Sequence, residues 1–301
     1  MTDIVLLEGG TGQELLNRSA NKSPRRWSAE YLLAEPELVQ QVHADYIAAG
    51  ARVITINAYS ATFTRMAILL EEDLVPELQR IACDLALRAR DAAGVAGVAI
   101  AGCLPPLNGT YRPDRVRPFA TNLAEYRRLA ELQAPHVDFF RCETLSSAEE
   151  GRAAAQAACE TGKPVWVAWT LADDGGGLRS GESIAEAHAA LDGLPVSAVL
   201  ANCSPPEAIT AAIPALAATG LPAGGYANGF MPVPATFVPG RTLEQITLRE
   251  DLSPEAYAAI ALEWIDRGAR IVGGCCATGP AHIKRLREAI LQRGFGIGGI
   301  G

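Results

Sequence analysis

The chain has 301 residues, of which 49% are hydrophobic and 20% are charged, so it can bury a sizeable core and is not an intrinsically disordered chain. A formal net charge of −8 argues against a general binder of nucleic acid or of anionic membranes, because both functions need a basic surface. The first residues carry no basic segment followed by a long apolar one, and no stretch approaches the roughly 18 apolar residues of a membrane span. We therefore expect a cytoplasmic protein.

Eight short apolar runs, each followed by a segment with helical periodicity, organise the chain. The runs are continuous rather than alternating, which is typical of parallel strands covered on both faces. The predicted strands are Ile4–Leu7, Val53–Ile56, Val98–Ala101, Val137–Phe140, Val165–Trp169, Ala198–Ala201, Ala223–Tyr226 and Ala269–Val272. The predicted helices are Ser28–Ala49, Leu74–Ala93, Thr121–Gln133, Ser147–Glu160, Glu182–Leu191, Pro205–Ala218, Pro254–Arg267 and Pro280–Gln292.

Eight strand–helix pairs predict an α/β protein with a parallel sheet, and eight is the number of strands that closes a TIM barrel. We predict a single (β/α)8 TIM barrel over residues 1–293, followed by a glycine-rich, flexible tail over residues 294–301. An open, doubly wound sheet is the alternative, but the glycines after the first strand do not complete the GxGxxG pattern of such folds. The Gly175–Gly177 run and the proline-rich stretch Met231–Gly240 are expected to be loops over one rim.

Polar residues follow most of the predicted strands, and functional residues of TIM barrels gather at these carboxyl-terminal strand ends. The candidate segments are Glu8–Gly12, Asn57–Tyr59, Cys142–Thr144, Asn202–Ser204, Asn228 and Gly273–Cys276. The four histidines lie in or beside predicted helices and are expected to be structural.

Three of the seven cysteines are candidate metal ligands. An odd number of cysteines without a secretion signal argues against a disulfide framework. The barrel prediction brings Cys203 close to Cys275 and Cys276, because the sixth and eighth strands end at the same rim. Three thiolates would form a soft zinc site with an open fourth position, which is the arrangement of catalytic zinc. From the residues alone, catalytic zinc and a cluster of buried thiols both remain open.

Several motifs resemble those of one family in the right order along nearly the whole chain. They are GGCCATGPAHI at Gly273–Ile283, ANCSPPE at Ala201–Glu207, VITINAYSAT at Val53–Thr62 and GESIAEA at Gly181–Ala187. The double cysteine with a distant Asn-Cys is the most specific of these signals. The sequence resembles the homocysteine S-methyltransferase family.

The resemblance implies a TIM barrel that holds zinc through Cys203, Cys275 and Cys276. It implies transfer of a methyl group from an onium donor to homocysteine, which gives methionine. A thiol bound to zinc is deprotonated and therefore nucleophilic at neutral pH. S-methylmethionine is the favoured donor, and S-adenosylmethionine and betaine are the alternatives.

The resemblance also implies roles for residues at the strand ends. Glu8, Gly9, Thr11 and Glu143 would hold the amino acid group of homocysteine, with Glu8 and Glu143 as the catalytic candidates. A carboxylate suits the ammonium group of such a substrate. Many members carry Asp where this chain has Glu8. Two further substrate-binding candidates are Tyr59, at an aromatic position near the donor, and Asn202.

Other classes of function stay as alternatives. A zinc hydrolase would need His or carboxylate ligands, and the three cysteines argue against it. A non-catalytic thiolate–zinc or redox-sensing protein, or a methyltransferase for a different thiol or selenol, would use the same residues. The expected partners are small-molecule substrates rather than nucleic acid or membranes, and the expected state is a monomer or a small homo-oligomer.

Overall fold

The structure is a computed structural model that describes residues 3–231 and 247–300. Most of the predicted proline-rich loop, residues 232–240, lies outside the described residues.

Eight parallel strands form the centre of the fold. They are β1 (Ile4–Leu6), β2 (Val53–Thr55), β3 (Ala99–Leu104), β4 (Phe139–Leu145), β5 (Val165–Trp169), β6 (Val196–Asn202), β7 (Ala223–Ala227) and β8 (Ile271–Gly274). Neighbours in the sequence pair from β2 to β8, and β8 pairs with β1. A bridge between Leu7 and Val53, together with a 2.7 Å hydrogen bond from the Arg52 N–H to the Leu6 carbonyl, joins β1 to β2. The predicted (β/α)8 TIM barrel is therefore confirmed.

Helices connect the strands and cover the outside of the barrel. They are α1 (Thr11–Arg18), α2 (Glu30–Ala34), α3 (Pro36–Ala49), α4 (Phe63–Ala67), α5 (Val75–Ala93), α6 (Phe119–Gln133), α7 (Ala148–Cys159), α8 (Ile184–Ala189), α9 (Pro206–Ala217), α10 (Pro254–Asp266) and α11 (Pro280–Gln292). The predicted helix over 28–49 is divided at Glu35, because Pro36 has no N–H to continue the helix and restricts the residue before it. Helices α1 and α4 were not predicted, since each is too short to show a clear period.

The carboxyl-terminal segment differs from the flexible tail that its glycines indicated. A ninth strand, β9 (Ile297–Gly298), pairs in parallel with Ile4 and Val5 of β1. A Cβ atom at Gly296 or Gly298 would crowd the side chain of Asp3. The glycines therefore allow a close approach to β1, which composition alone cannot distinguish from flexibility.

The barrel interior changes in character from apolar to charged along its axis. Buried apolar side chains from the strands pack inside it, including Phe139 against Trp166 with ring centroids 4.3 Å apart. The carboxyl-terminal end instead holds the buried charged residues Glu8, Arg141 and Glu143. Buried charges need partners and are concentrated at functional sites, so we expect the functional site at this end of the barrel. Within the described residues, no helix combines the length and the apolar character needed to cross a membrane.

Candidate active site

Three cysteines meet at the carboxyl-terminal mouth of the barrel. Cys203 directly follows β6, and Cys275 and Cys276 directly follow β8. Their sulfur atoms all lie within 4.8 Å of one another. The proximity that the barrel prediction required is therefore present, although 72 positions separate Cys203 from Cys275 in the sequence.

Backbone geometry aims the sulfurs at one point. Cys203 has a φ of +48°, in the left-handed region that residues with a Cβ rarely occupy. Its N–H donates to the Tyr226 carbonyl at 3.1 Å, and the Cys275 N–H donates to the Ala227 carbonyl at 2.9 Å. Both turns are thus tied to the end of β7, between the two strands that supply the sulfurs. Strained backbone of this kind is concentrated at functional sites.

The glycines after β1 pack against the cysteine turn. A Cβ atom at Gly10 would overlap the Cys275 carbonyl oxygen, and one at Gly9 would overlap the Thr278 carbonyl oxygen. The Gly10 N–H donates to that same Thr278 oxygen at 2.9 Å. This close approach of two backbones requires glycine at both positions. The role of Gly9 in substrate binding stays a prediction beside this packing role.

Several hydrogen bonds converge on the Cys203 sulfur. Donation from the thiols of Cys275 and Cys276, and then from Tyr111 and Asn228, holds the pKa of Cys203 well below its ordinary value. The Tyr111 hydroxyl lies 2.9 Å from the Cys203 sulfur, and the Asn228 Nδ2 lies 3.9 Å from it. Tyr111 is in the loop after β3, and nothing in the sequence around it indicated a contact with a cysteine 92 positions away.

The three sulfurs fit a zinc ion by number, type and spacing. Tetrahedral zinc with Zn–S distances of about 2.3 Å separates its sulfur ligands by roughly 3.8 Å, which small side-chain movements would reach here. Cys203, Cys275 and Cys276 offer one sulfur each, so one tetrahedral position would stay open for a substrate. The cluster could therefore hold a metal ion of the soft, thiolate-binding kind.

A second cluster, of buried charges, lies inside the barrel mouth. Glu143 projects from β4, and Arg141 lies two residues before it on the same strand. The Arg141 Nη2 lies 3.0 Å from Glu143 Oε2 and 3.8 Å from Glu8 Oε1. Glu8 Oε1 also accepts a 2.6 Å hydrogen bond from the Thr55 N–H. We call Glu8, Arg141 and Glu143 the charge cluster.

The surroundings of Glu143 occupy both of its oxygens. Oε1 accepts from the Cys103 thiol at 3.2 Å, and Oε2 accepts from the Tyr226 hydroxyl at 3.3 Å. Burial raises the pKa of Glu143 above its ordinary value, and the attraction of Arg141 only partly offsets this. Arg141, which directly follows the predicted strand Val137–Phe140, was not selected from the sequence, because arginine is normally an exposed residue.

Glu8 differs from Glu143 in having an open oxygen. Its Oε2 has no hydrogen-bond partner among the described residues and lies 3.7 Å from Nδ1 of the buried His43. Thr11, the first residue of α1, has a buried hydroxyl that also lacks a hydrogen-bond partner in the described part of the chain. These unpartnered oxygens are candidates for binding a polar ligand.

The remaining predicted substrate residues already have partners within the protein. The Asn202 side chain accepts from the Thr144 N–H at 2.7 Å and donates to the Thr144 hydroxyl at 2.8 Å, so it joins the ends of β6 and β4. The Tyr59 hydroxyl hydrogen bonds with Thr110 at 2.9 Å, and the Arg65 guanidinium lies 5.1 Å from its ring centroid. Asn202 therefore joins two strand ends, and Tyr59 contacts the loop after β3 and the helix α4.

The chain matches the family model described as homocysteine S-methyltransferase over residues 5–290. It belongs to the homocysteine S-methyltransferase family. A homocysteine S-methyltransferase of Escherichia coli is 31% identical, over 95% of this chain and 94% of the relative. The selenocysteine Se-methyltransferase of Brassica oleracea var. italica is 27% identical, over 96% of this chain and 89% of the relative. The metallated form of the homocysteine methyltransferase MmuM from Escherichia coli superposes with a TM-score of 0.80 at 30% identity, covering 95% of this chain and 96% of that one.

Proposed function

We propose that this protein catalyses zinc-dependent transfer of a methyl group from an onium donor to the thiolate of homocysteine, which gives methionine. The observation that carries the proposal is the cluster of three cysteine sulfurs within 4.8 Å of one another, at the mouth of a barrel that belongs to this family. Cys203, Cys275 and Cys276 would be the metal ligands.

The proposed reaction is a direct displacement. Zinc, when bound, would keep the acceptor sulfur deprotonated at neutral pH. With a sulfonium donor, a new bond forms between that sulfur and the methyl carbon, while the bond from the methyl carbon to the donor's positively charged sulfur breaks. The donor leaves as a neutral thioether, so no residue has to act as a general acid.

The residues of this chain would position the reactants and exclude water. Glu8 and Thr11 each have an oxygen without a hydrogen-bond partner among the described residues, and these oxygens would bind the amino acid group of the acceptor. Tyr59 and Tyr111 lie on the loops after β2 and β3, and the Tyr111 hydroxyl lies 2.9 Å from the Cys203 sulfur. Holding the nucleophile and the methyl carbon in line supplies much of the rate acceleration in such a reaction.

Within this proposal, S-methylmethionine is the favoured donor. It carries a positive charge, which suits a barrel mouth where two buried carboxylates face one arginine. Its leaving group is no larger than an amino acid. S-adenosylmethionine and betaine remain the alternatives to test.

A selenol acceptor is the second candidate. The similarity to the Brassica selenocysteine Se-methyltransferase favours it. The same three cysteines would serve, because a selenol is a soft ligand like a thiol.

Methionine formation, measured by mass spectrometry, tests the proposal. Reduced, zinc-loaded protein is incubated with homocysteine and each of the three donors separately, with and without a chelator, and with selenocysteine as a second acceptor. Chelator-sensitive methionine from one donor is the expected result. A protein that holds one zinc ion and methylates neither acceptor from any donor would contradict the proposal and favour the non-catalytic or redox-sensing alternative.

A further inference from the structure

The charge cluster contains an internal cation at the place where the substrate's ammonium is expected. Arg141 is only 5% exposed and lies between Cys103 of β3 and Trp166 of β5 in the sheet register. Its guanidinium carbon lies 4.7 Å from the centroid of the Tyr226 ring. Strand register and this ring contact fix the arginine inside the barrel rather than at its surface.

One nitrogen of Arg141 lies near both of the carboxylates that are proposed to hold the ammonium. Nη2 is 3.0 Å from Glu143 Oε2 and 3.8 Å from Glu8 Oε1. Tyr226 and Cys103 complete the surroundings of Glu143. Glu143 is thus neutralised by a residue of its own strand before any substrate binds.

The charge balance follows from these contacts. The two carboxylates and one guanidinium of the charge cluster leave a single net negative charge, and the cluster's carboxylate oxygen without a hydrogen-bond partner among the described residues is Glu8 Oε2, 3.7 Å from His43 Nδ1. A substrate ammonium would find one carboxylate instead of two and would lie close to a fixed positive charge. Both effects weaken selection for an ammonium group, because like charges repel strongly where little water is present.

We propose that Arg141 is a specificity-determining residue that widens the acceptor range of this site to thiol acids without an α-ammonium group. This inference rests on the proposed methyltransferase function and specifies its acceptor class. The acceptor thiol loses its proton to solvent, its sulfur takes the methyl group, and the donor leaves as a thioether, as for homocysteine. An amino acid acceptor such as homocysteine is also methylated, but its amino group contributes little to kcat/KM.

The decisive experiment compares homocysteine with 4-mercaptobutyrate, which has the same chain and carboxylate but no ammonium. A site built around an ammonium would reject the second acceptor by a factor of about 10⁴ or more. We expect kcat/KM values for the wild-type protein within about thirtyfold of each other. A larger preference for homocysteine would overturn the proposal.

Two variants locate the effect at Arg141. Arg141→Leu frees Glu143 and should raise the preference for homocysteine by about tenfold or more, whereas Arg141→Lys keeps the charge and should leave that preference near the wild-type value. If Arg141→Leu fails to fold, the double variant Arg141→Leu/Glu143→Gln removes both charges and should keep the preference low. A lower preference in Arg141→Leu than in the wild type would contradict the proposal, because it would mean that the arginine helps to bind amino acids.

Calorimetry provides a readout that does not depend on turnover or on zinc. The ligands are methionine and 4-(methylthio)butyrate, the two methylated products. Dissociation constants within about thirtyfold of each other support the proposal even if no methyl transfer is detected. Tighter binding of methionine beyond that range, or no binding of either ligand, overturns it. Failure of the methyltransferase function is thereby distinguished from failure of the inference about Arg141.

Discussion

The sulfur cluster and the charge cluster share the mouth of one barrel but are built in different ways. The sulfurs come from residues that follow β6 and β8, and left-handed backbone at Cys203 together with glycines at 9 and 10 brings them together. The charges come mainly from within a strand, where Arg141 and Glu143 lie two residues apart and point into the same interior. The sulfur cluster therefore offers an open position to a ligand, whereas the charged groups of the charge cluster are largely paired with one another.

This difference predicts that the two clusters respond differently to substitution. Changes in the sulfur cluster should remove ligand binding and activity while the fold persists, because the strands do not depend on the cysteine side chains. Changes in the charge cluster should first affect stability, because a buried charge without a partner destabilises the folded state.

The largest effect is expected for Cys276→Ser. Loss of one thiolate should lower zinc content from about one ion per chain to near zero at neutral pH, and methyl transfer should disappear with it. Metal analysis and the methionine assay measure both. Cys159→Ser, at a half-buried cysteine on α7 that is not part of the cluster, is the matched control and should leave both unchanged. Retained turnover in Cys276→Ser would disprove the metal assignment.

Arg141→Leu should have the next largest effect, on stability. It leaves Glu8 and Glu143 buried without their cation, and breaking such a buried pair costs about 3–5 kcal/mol of unfolding free energy. Adding Glu143→Gln should restore a large part of this loss. Urea denaturation at pH 7 measures the unfolding free energies. An Arg141→Leu variant as stable as the wild type would show that the charge cluster does not depend on its arginine.

Tyr111→Phe tests the hydrogen bond that the sulfur cluster receives from the loop after β3. Removing a hydrogen bond to a charged group costs about 1.5–3 kcal/mol, which corresponds to a roughly tenfold to hundredfold change in zinc affinity or in rate. Competition with a chelator and steady-state kinetics measure these quantities. Tyr31→Phe, whose hydroxyl donates to the Asn21 carbonyl outside the cluster, is the control. Equal zinc affinity and equal rates in both variants would exclude a role for Tyr111.

The smallest effect concerns the pH dependence of stability. Burial raises the pKa of Glu143 in the folded state, so the folded protein binds this proton more tightly than the unfolded chain does. The stability from this group is present below the ordinary glutamate pKa and is lost as the pH rises through the raised folded value. The stability of Glu143→Gln should therefore fall less than that of the wild type above pH 4.5.

A surface carboxylate should show the opposite dependence of stability on pH. Hydrogen bonding to Arg127 lowers the pKa of Glu160, so its contribution is present above the ordinary value and is lost as the pH falls. Urea midpoints between pH 4 and 7 for Glu143→Gln and Glu160→Gln should thus deviate from the wild type in opposite directions. Identical pH profiles for the wild type and Glu143→Gln would contradict the burial effect.

Much of the fold could be predicted because it depends on periodicity. The eight apolar runs corresponded to the eight barrel strands, although β4 and β8 each begin two residues later than predicted, at Phe139 and Ile271, and β4 continues to Leu145. Hydrophobic periodicity does not reveal local breaks in a helix, so the division of the predicted first helix before Pro36 was missed. The strand at Ile297–Gly298 was missed because glycine favours both flexibility and close backbone packing.

The sequence by itself determined the family, the barrel and the three cysteines, because these depend on residue type, order and period. Tertiary structure alone decided the rest. It brought Tyr111 to Cys203 from a loop 92 positions away, and it placed Arg141 between Glu8 and Glu143. The physical reason is that partners across a barrel are set by strand register and side-chain length, which leave no local pattern in the sequence.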